Sequence, residues 1–262
     1  MKSGKARLIL CWAAALASAV WGFLFLPGYF RGIDLASRRG LMTLYCANAV
    51  QQIIAFALPS LLILAARPRR WRAFRQSLRP VGLPMLSGCL LLAVGGTVTV
   101  SLIAMVWGHF LYSAAGYAGT QELLPMPDSP GEWMLSMAAV ALLPAACEEL
   151  LFRALLQTAL RKRLPRTGIW LTALIFAALH FRWEAFPALI LVGLVLGMTY
   201  IRYGYIGSLA LHALYNAVTL ILSVGAVGVT PLMLLACCAA CWGALRLLFG
   251  KERSDETDGA GL

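Results

Sequence analysis

A chain of 262 residues that is 61% hydrophobic and only 13% charged, with a mean hydropathy of +0.79, cannot clothe itself in a water-soluble surface. An integral-membrane protein is expected instead. The net charge of +11 needs no nucleic-acid partner. Lys and Arg gathered at membrane edges set topology and attract anionic lipid headgroups, which are the partners that this charge predicts.

Crossing about 30 Å of hydrocarbon takes roughly 20 helical residues. Runs of that kind lie near 8–28, 41–66, 83–110, 133–159, 168–186, 187–201, 204–224 and 229–249, predicting an all-α polytopic bundle of about eight transmembrane helices. The first, MKSGKARLILCWAAALASAV, has the basic start, apolar stretch and Ala17-Ser18-Ala19 site of a secretory signal. Its apolar course continues through Trp21, Phe23 and Phe25 to Phe30, so it is expected to stay as a span. After the second run, RPRRWRAFRQSLRP interleaves Trp71 and Phe74 with arginines, as a segment lying along the interface would. His109, between Trp107 and Tyr112, reads as interfacial. The fifth and sixth runs share one apolar stretch broken by Arg182, Glu184 and Pro187, and either two crossings or a re-entrant pair fits it. Gly193-x-x-x-Gly197 reads as a helix-packing face. One integral-membrane domain is expected over 1–249, with its motif-bearing half at about 133–225, followed by a disordered cytoplasmic tail over 250–262.

Basic residues predict the orientation. With Lys2, Lys5 and Arg7 in the cytoplasm, eight crossings bring six arginines between Arg67 and Arg79, then Arg161, Lys162, Arg163, Arg166, Arg202, Lys251 and Arg253, to the same side. The 113–132 loop, which has acids but no Lys or Arg, falls outside, and Arg31, Arg38, Arg39 and Arg182 are the exceptions. Both termini are therefore expected in the cytoplasm, and the compact chain with high Ala, Leu and Arg usage points to a bacterial inner membrane. All seven cysteines lie in predicted spans, where packing is their default role. Cys238-x-x-Cys241 has the spacing of a redox or metal pair, but no second pair or nearby histidine accompanies it.

Polar residues inside the spans carry the information. CEELLFR places Glu148, Glu149 and Arg153 in an otherwise uncharged run, and charge near a bilayer centre usually faces a protein interior or a water-filled cavity. A spacing of four pairs Glu149 with Arg153 on one helix face, whereas Glu148 lies about 100° away and points elsewhere. Phe176 precedes His180 by four, and His212 precedes Asn216 by four. Counted from the nearest basic edge, Glu149, His180 and His212 lie about 18, 21 and 15 Å deep. Three helices thus bring polar groups to one level.

Glu-Glu-x-x-x-Arg, Phe-x-x-x-His and His-x-x-x-Asn, in that order, resemble the three motifs of the CPBP family of intramembrane proteases, which includes CAAX prenyl endopeptidases and bacterial Abi proteins. The match is complete at Glu148, Glu149, Arg153, Phe176, His180, His212 and Asn216; the first half of the chain shows no such motif. The resemblance implies endopeptidase activity on a membrane-associated protein or peptide, near its C-terminal region. Hydrolysis needs a base for water, donors for the developing oxyanion and a shielded site. Glu148 with His180 suits the first task and Asn216 with the His212 ring N–H the second, leaving Glu149 to support Arg153. The family has been described both as zinc enzymes and as glutamate proteases. Glu148, His180 and His212 offer a zinc ligand set, but His-Glu-x-x-His is absent and Asn216 suits an oxyanion better than a metal, so a cofactor-free mechanism is favoured. A transporter or proton pathway, or a silent membrane scaffold, is the alternative that buried Glu, Arg and His also allow.

Overall fold

The structure, a computed structural model, describes residues 17–18, 20–21, 37–119, 127–224 and 230–250. Most of the first predicted crossing, including Ala19 of its Ala17-Ser18-Ala19 site, and the tail from Lys251 lie outside these residues. All regular structure among the described residues is helical, as a lipid environment requires: only a helix satisfies its own backbone polar groups within one apolar segment.

Local chemistry sets the helix ends. α1 (Arg38–Ala65) starts where the Ser37 hydroxyl accepts the Gly40 N–H at 3.0 Å. It stops before Pro68, with Arg67 in extended backbone, as the residue before a proline favours. α2 (Pro68–Ser77) has no fully buried residue: Trp71 is exposed, whereas Phe74 is half-buried, its ring centroid 5.2 Å from that of Tyr205. α3 (Leu83–Ala115) closes on Gly116 at φ 68. α4 (Pro130–Arg163) opens on a reciprocal cap. There Ser129 Oγ accepts the Glu132 N–H at 3.2 Å, and Glu132 accepts the Asp128 N–H at 2.7 Å. α5 (Gly168–Ala178), α6 (Phe186–Val224) and α7 (Pro231–Phe249) complete the bundle.

Among the described residues, five stretches are long and apolar enough to cross a membrane: α1, α3, α4, Trp183–Leu222 and Leu232–Phe249. Trp183–Leu222 is broken at Gly204, where φ is 77 and ψ −165. Val192 and Leu196 before the break line the same cavity as Leu211 and Tyr215 after it. A straight helix would hold Val192 and Tyr215 about 35 Å apart. The chain therefore folds back at Gly204, and the expected runs 187–201 and 204–224 are two antiparallel arms of α6. Glycine is required there twice over, by its positive φ and because a Cβ would collide with the Ser77 carbonyl oxygen of α2.

The fifth expected run needs correction. α5 ends at Ala178, about 16 Å from its start, rather than continuing to residue 186. Phe181 turns the chain with φ 53, a short 3-10 turn spans Trp183–Ala185, and Arg182 pairs with Glu184 at 2.8 Å. That charged pair belongs at a polar edge, where the Trp107 indole N–H donates to the Trp183 carbonyl at 2.9 Å. The expected total of eight crossings also depends on the N-terminal run, which lies outside the described residues.

Packing is inverted relative to a soluble protein. Met105, Val106, Phe110, Leu232 and Leu235 are exposed, whereas Glu148, Glu149, Arg153, Gln157, Thr172, Ser208 and His212 are buried. Gly193 rests on Ala173 and Phe176, and Gly197 on Gln157 and Ile169, as a small-residue packing face should. Gly95 lets α3 approach Cys237 and Cys241 of α7. Core packing does not hold for every cysteine, since Cys46 and Cys238 are exposed; an apolar thiol meets no penalty facing lipid. Arg38 and Arg182, two exceptions to the charge bias, sit beside Asp128 and Glu184.

Candidate active site

α4 is not a uniform helix. Its α-helical segment Leu143–Glu149 lies between π-helical Met137–Leu142 and Leu150–Gln157. π turns concentrate at functional sites and disturb the regular hydrogen-bond ladder. Three carbonyls of α4 take donors from other helices: Ala139 from Asn48 Nδ2 at 2.7 Å, Ala141 from Asn216 Nδ2 at 3.4 Å and Ala146 from the Tyr205 hydroxyl at 2.9 Å. These bonds pin α1 and the second arm of α6 against the segment that carries both glutamates.

Glu149 and Arg153 are both 0% exposed. The Arg153 Nε–H lies 3.3 and 3.5 Å from the two carboxylate oxygens. The guanidinium sits 5.2 Å above the Phe176 ring centroid and reaches Gln157 Oε1 at 3.5 Å, while Gln157 Nε2 donates to the Gly197 carbonyl at 2.9 Å. Charges so deep persist only when paired and hydrogen-bonded. His212 Nδ1 adds a 3.0 Å bond to Glu149 Oε1.

Glu148 faces a different set of neighbours. Its Oε1 accepts from Gln52 Nε2 at 3.2 Å. Its Oε2 is buried without a hydrogen-bond donor and lies 4.0 Å from His180 Nε2 and 3.8 Å from His212 Nε2. Ring tautomers follow from the partners, because an acceptor demands a proton opposite it. His180 Nδ1 donates to the Phe176 carbonyl at 2.7 Å, and His212 Nδ1 donates to Glu149. In the neutral rings both Nε2 lone pairs therefore face Glu148 Oε2. Phe176 spaces the imidazoles, its ring centroid 4.5 Å from that of His180 and 6.0 Å from that of His212.

The structure thus brings together Glu148, Glu149, Arg153, Phe176, His180 and His212. Asn216 lies one turn beyond His212, tied to Ala141. Gln52 was not legible as a site residue. Asn48 and Gln52, four apart on one face of an apolar run, were the available signal. A zinc ion has suitable donors here, but the separations of 3.8 and 4.0 Å exceed the roughly 3.4 Å between ligands on a tetrahedral ion with bonds of about 2.0–2.1 Å. The set as it stands does not close on a metal, and among the described residues no group of three His, Cys, Asp or Glu side chains is placed to hold one.

Membrane-scale apolar helices that bring a buried carboxylate beside two imidazoles define a polytopic membrane protein with a polar cluster in its interior. Residues 130–218 match the family model described as Rce1-like, type II CAAX prenyl endopeptidase. All three motifs, from Glu148 to Asn216, fall inside that segment, which is therefore similar to a family of endopeptidases. No curated protein and no solved structure matches the chain.

Proposed function

We propose that the protein is an intramembrane endopeptidase that hydrolyses a peptide bond near the membrane-associated C-terminal region of a protein substrate, using water activated by Glu148. The observation that carries this reading is the buried, unpartnered Glu148 Oε2 facing two imidazole lone pairs. A water held there donates one hydrogen to Glu148 and the other to His180 Nε2. As its oxygen attacks the scissile carbonyl carbon, Glu148 takes the proton, then delivers it to the leaving nitrogen as the C–N bond breaks. Low dielectric strengthens each of these interactions.

Asn216 keeps a second amide N–H beyond the one given to Ala141, and this supplies a donor for the oxyanion. His212 differs from the expected donor. Its Nδ1–H is taken by Glu149, so Nε2 donates only when the ring is protonated, and Glu149 supplies the counter-charge for that form. Glu149 therefore serves His212 as well as Arg153.

The arginines of α2 support contact with anionic headgroups, and on that basis we place α2 and both termini at the cytoplasmic face of a bacterial inner membrane. Purified protein in liposomes, given an internally quenched peptide ending in a farnesyl-cysteine CAAX sequence, should release the last three residues, read by mass spectrometry. Glu148→Ala and His180→Ala should each lose at least about a hundredfold in rate while melting like the parent. Near-normal turnover by Glu148→Ala would remove the assignment of the base.

A further inference from the structure

The family-matching segment begins at residue 130, yet Glu148 is held from outside it. Gln52 Nε2 donates to Glu148 Oε1 at 3.2 Å. An ionised carboxylate can only accept, so for that form the amide turns its NH2 toward it. Fixing Oε1 also fixes Oε2, which is the oxygen that faces His180 and His212. Gln52 sits at the last α-helical residue of its segment, immediately before π-helical Ile53–Ala57. One turn earlier on the same face, Asn48 docks onto the Ala139 carbonyl. α1 thus presents two amides to α4, one to backbone and one to the reacting carboxylate. The carbonyl end of Gln52 is buried and has no hydrogen-bond donor, an arrangement that costs free energy and has no evident packing purpose.

We propose that Gln52 is a positioning residue of the same site: it orients the Glu148 carboxylate so that Oε2 faces His180 and His212. The inference rests on the protease reading above. The other groups near Glu148 are His180 and His212 at the distances given and, from its own helix, Glu149 and Arg153; each of these already has a bonding partner of its own. Gln52 is the one side chain among the described residues that hydrogen-bonds Glu148.

The experiment compares Gln52→Leu, Gln52→Glu, Asn48→Ala and Glu148→Ala on the farnesyl-cysteine CAAX peptide in liposomes, measuring kcat, KM and melting temperature. Gln52→Leu should lose on the order of 10- to 100-fold in kcat, the scale of a slightly misplaced reacting group, with KM little changed. Gln52→Glu keeps the shape but replaces the N–H donor with a second carboxylate, so it should lose at least as much kcat. Asn48→Ala removes the neighbouring contact to backbone and should lower the melting temperature while leaving kcat close to parental. A Gln52→Leu protein with parental kcat, beside an inactive Glu148→Ala, overturns the positioning role alone. The same holds if both Gln52 variants merely melt earlier, as Asn48→Ala does. Cleavage that survives Glu148→Ala removes Glu148 as the base, and a parent protein that leaves the peptide intact overturns the protease reading itself.

Discussion

Arg153→Ala would strand the Glu149 carboxylate in the interior, with its His212 bond retained but its counter-charge gone. Breaking a buried pair in this way costs roughly 3–5 kcal/mol, so Arg153→Ala should melt well below the parent in detergent. Adding Glu149→Gln should restore part of that loss, since the amide has no charge to compensate; strictly additive losses would count against the pair. Asn216→Ala should slow turnover by about 10² to 10³, the scale of a lost oxyanion donor, and an unchanged kcat would place that donor elsewhere. Glu148 and Glu149 are separable from the sequence alone, because adjacent helical residues point about 100° apart. Gln52 is not: an amide in an apolar run, even with Asn48 on the same face, reveals its partner only when another helix comes alongside. The direction of the His212 N–H is hidden for the same reason, since Glu149 claims it across helices.

Gly204 is the hinge on which α6 doubles back, and any β-carbon there meets both an unfavourable φ and the Ser77 carbonyl. Gly204→Ala should therefore destabilise by about 1–3 kcal/mol, the usual cost of such backbone strain plus the collision, read as a lower melting temperature and lower yield of folded protein. Parental stability would mean that α2 can move away from the turn. The two arms were legible as separate apolar runs. The end of α5 was not, because apolarity continues past Ala178 and the stop is imposed by the Phe181 turn and the Arg182–Glu184 pair. The π segments of α4 were equally hidden. Periodicity presumes one helical pitch, whereas the outside donors Asn48, Asn216 and Tyr205 act on carbonyls that sequence patterns do not describe.

For the molecule as a whole, the lipid-facing shell and the polar interior were both implied by composition, and the level at which three motifs meet followed from counting residues. The favoured metal-free mechanism is tested on the whole protein. Exhaustive chelation should leave cleavage of the CAAX peptide intact, with elemental analysis finding far less than one zinc per chain. One zinc per chain, with activity that tracks its removal and return, would overturn the metal-free mechanism and leave the protease reading standing. The contact between Gly204 and Ser77 has a further consequence. It moors the turn of α6 to α2, a helix suited to the headgroup plane, and His212 follows eight residues later, about 12 Å along the arm. On the protease reading proposed above, with α2 in the headgroup plane, this mooring would act as a ruler with its zero at the lipid surface, and the bond cut would be chosen by its distance from that surface as much as by the residues around it.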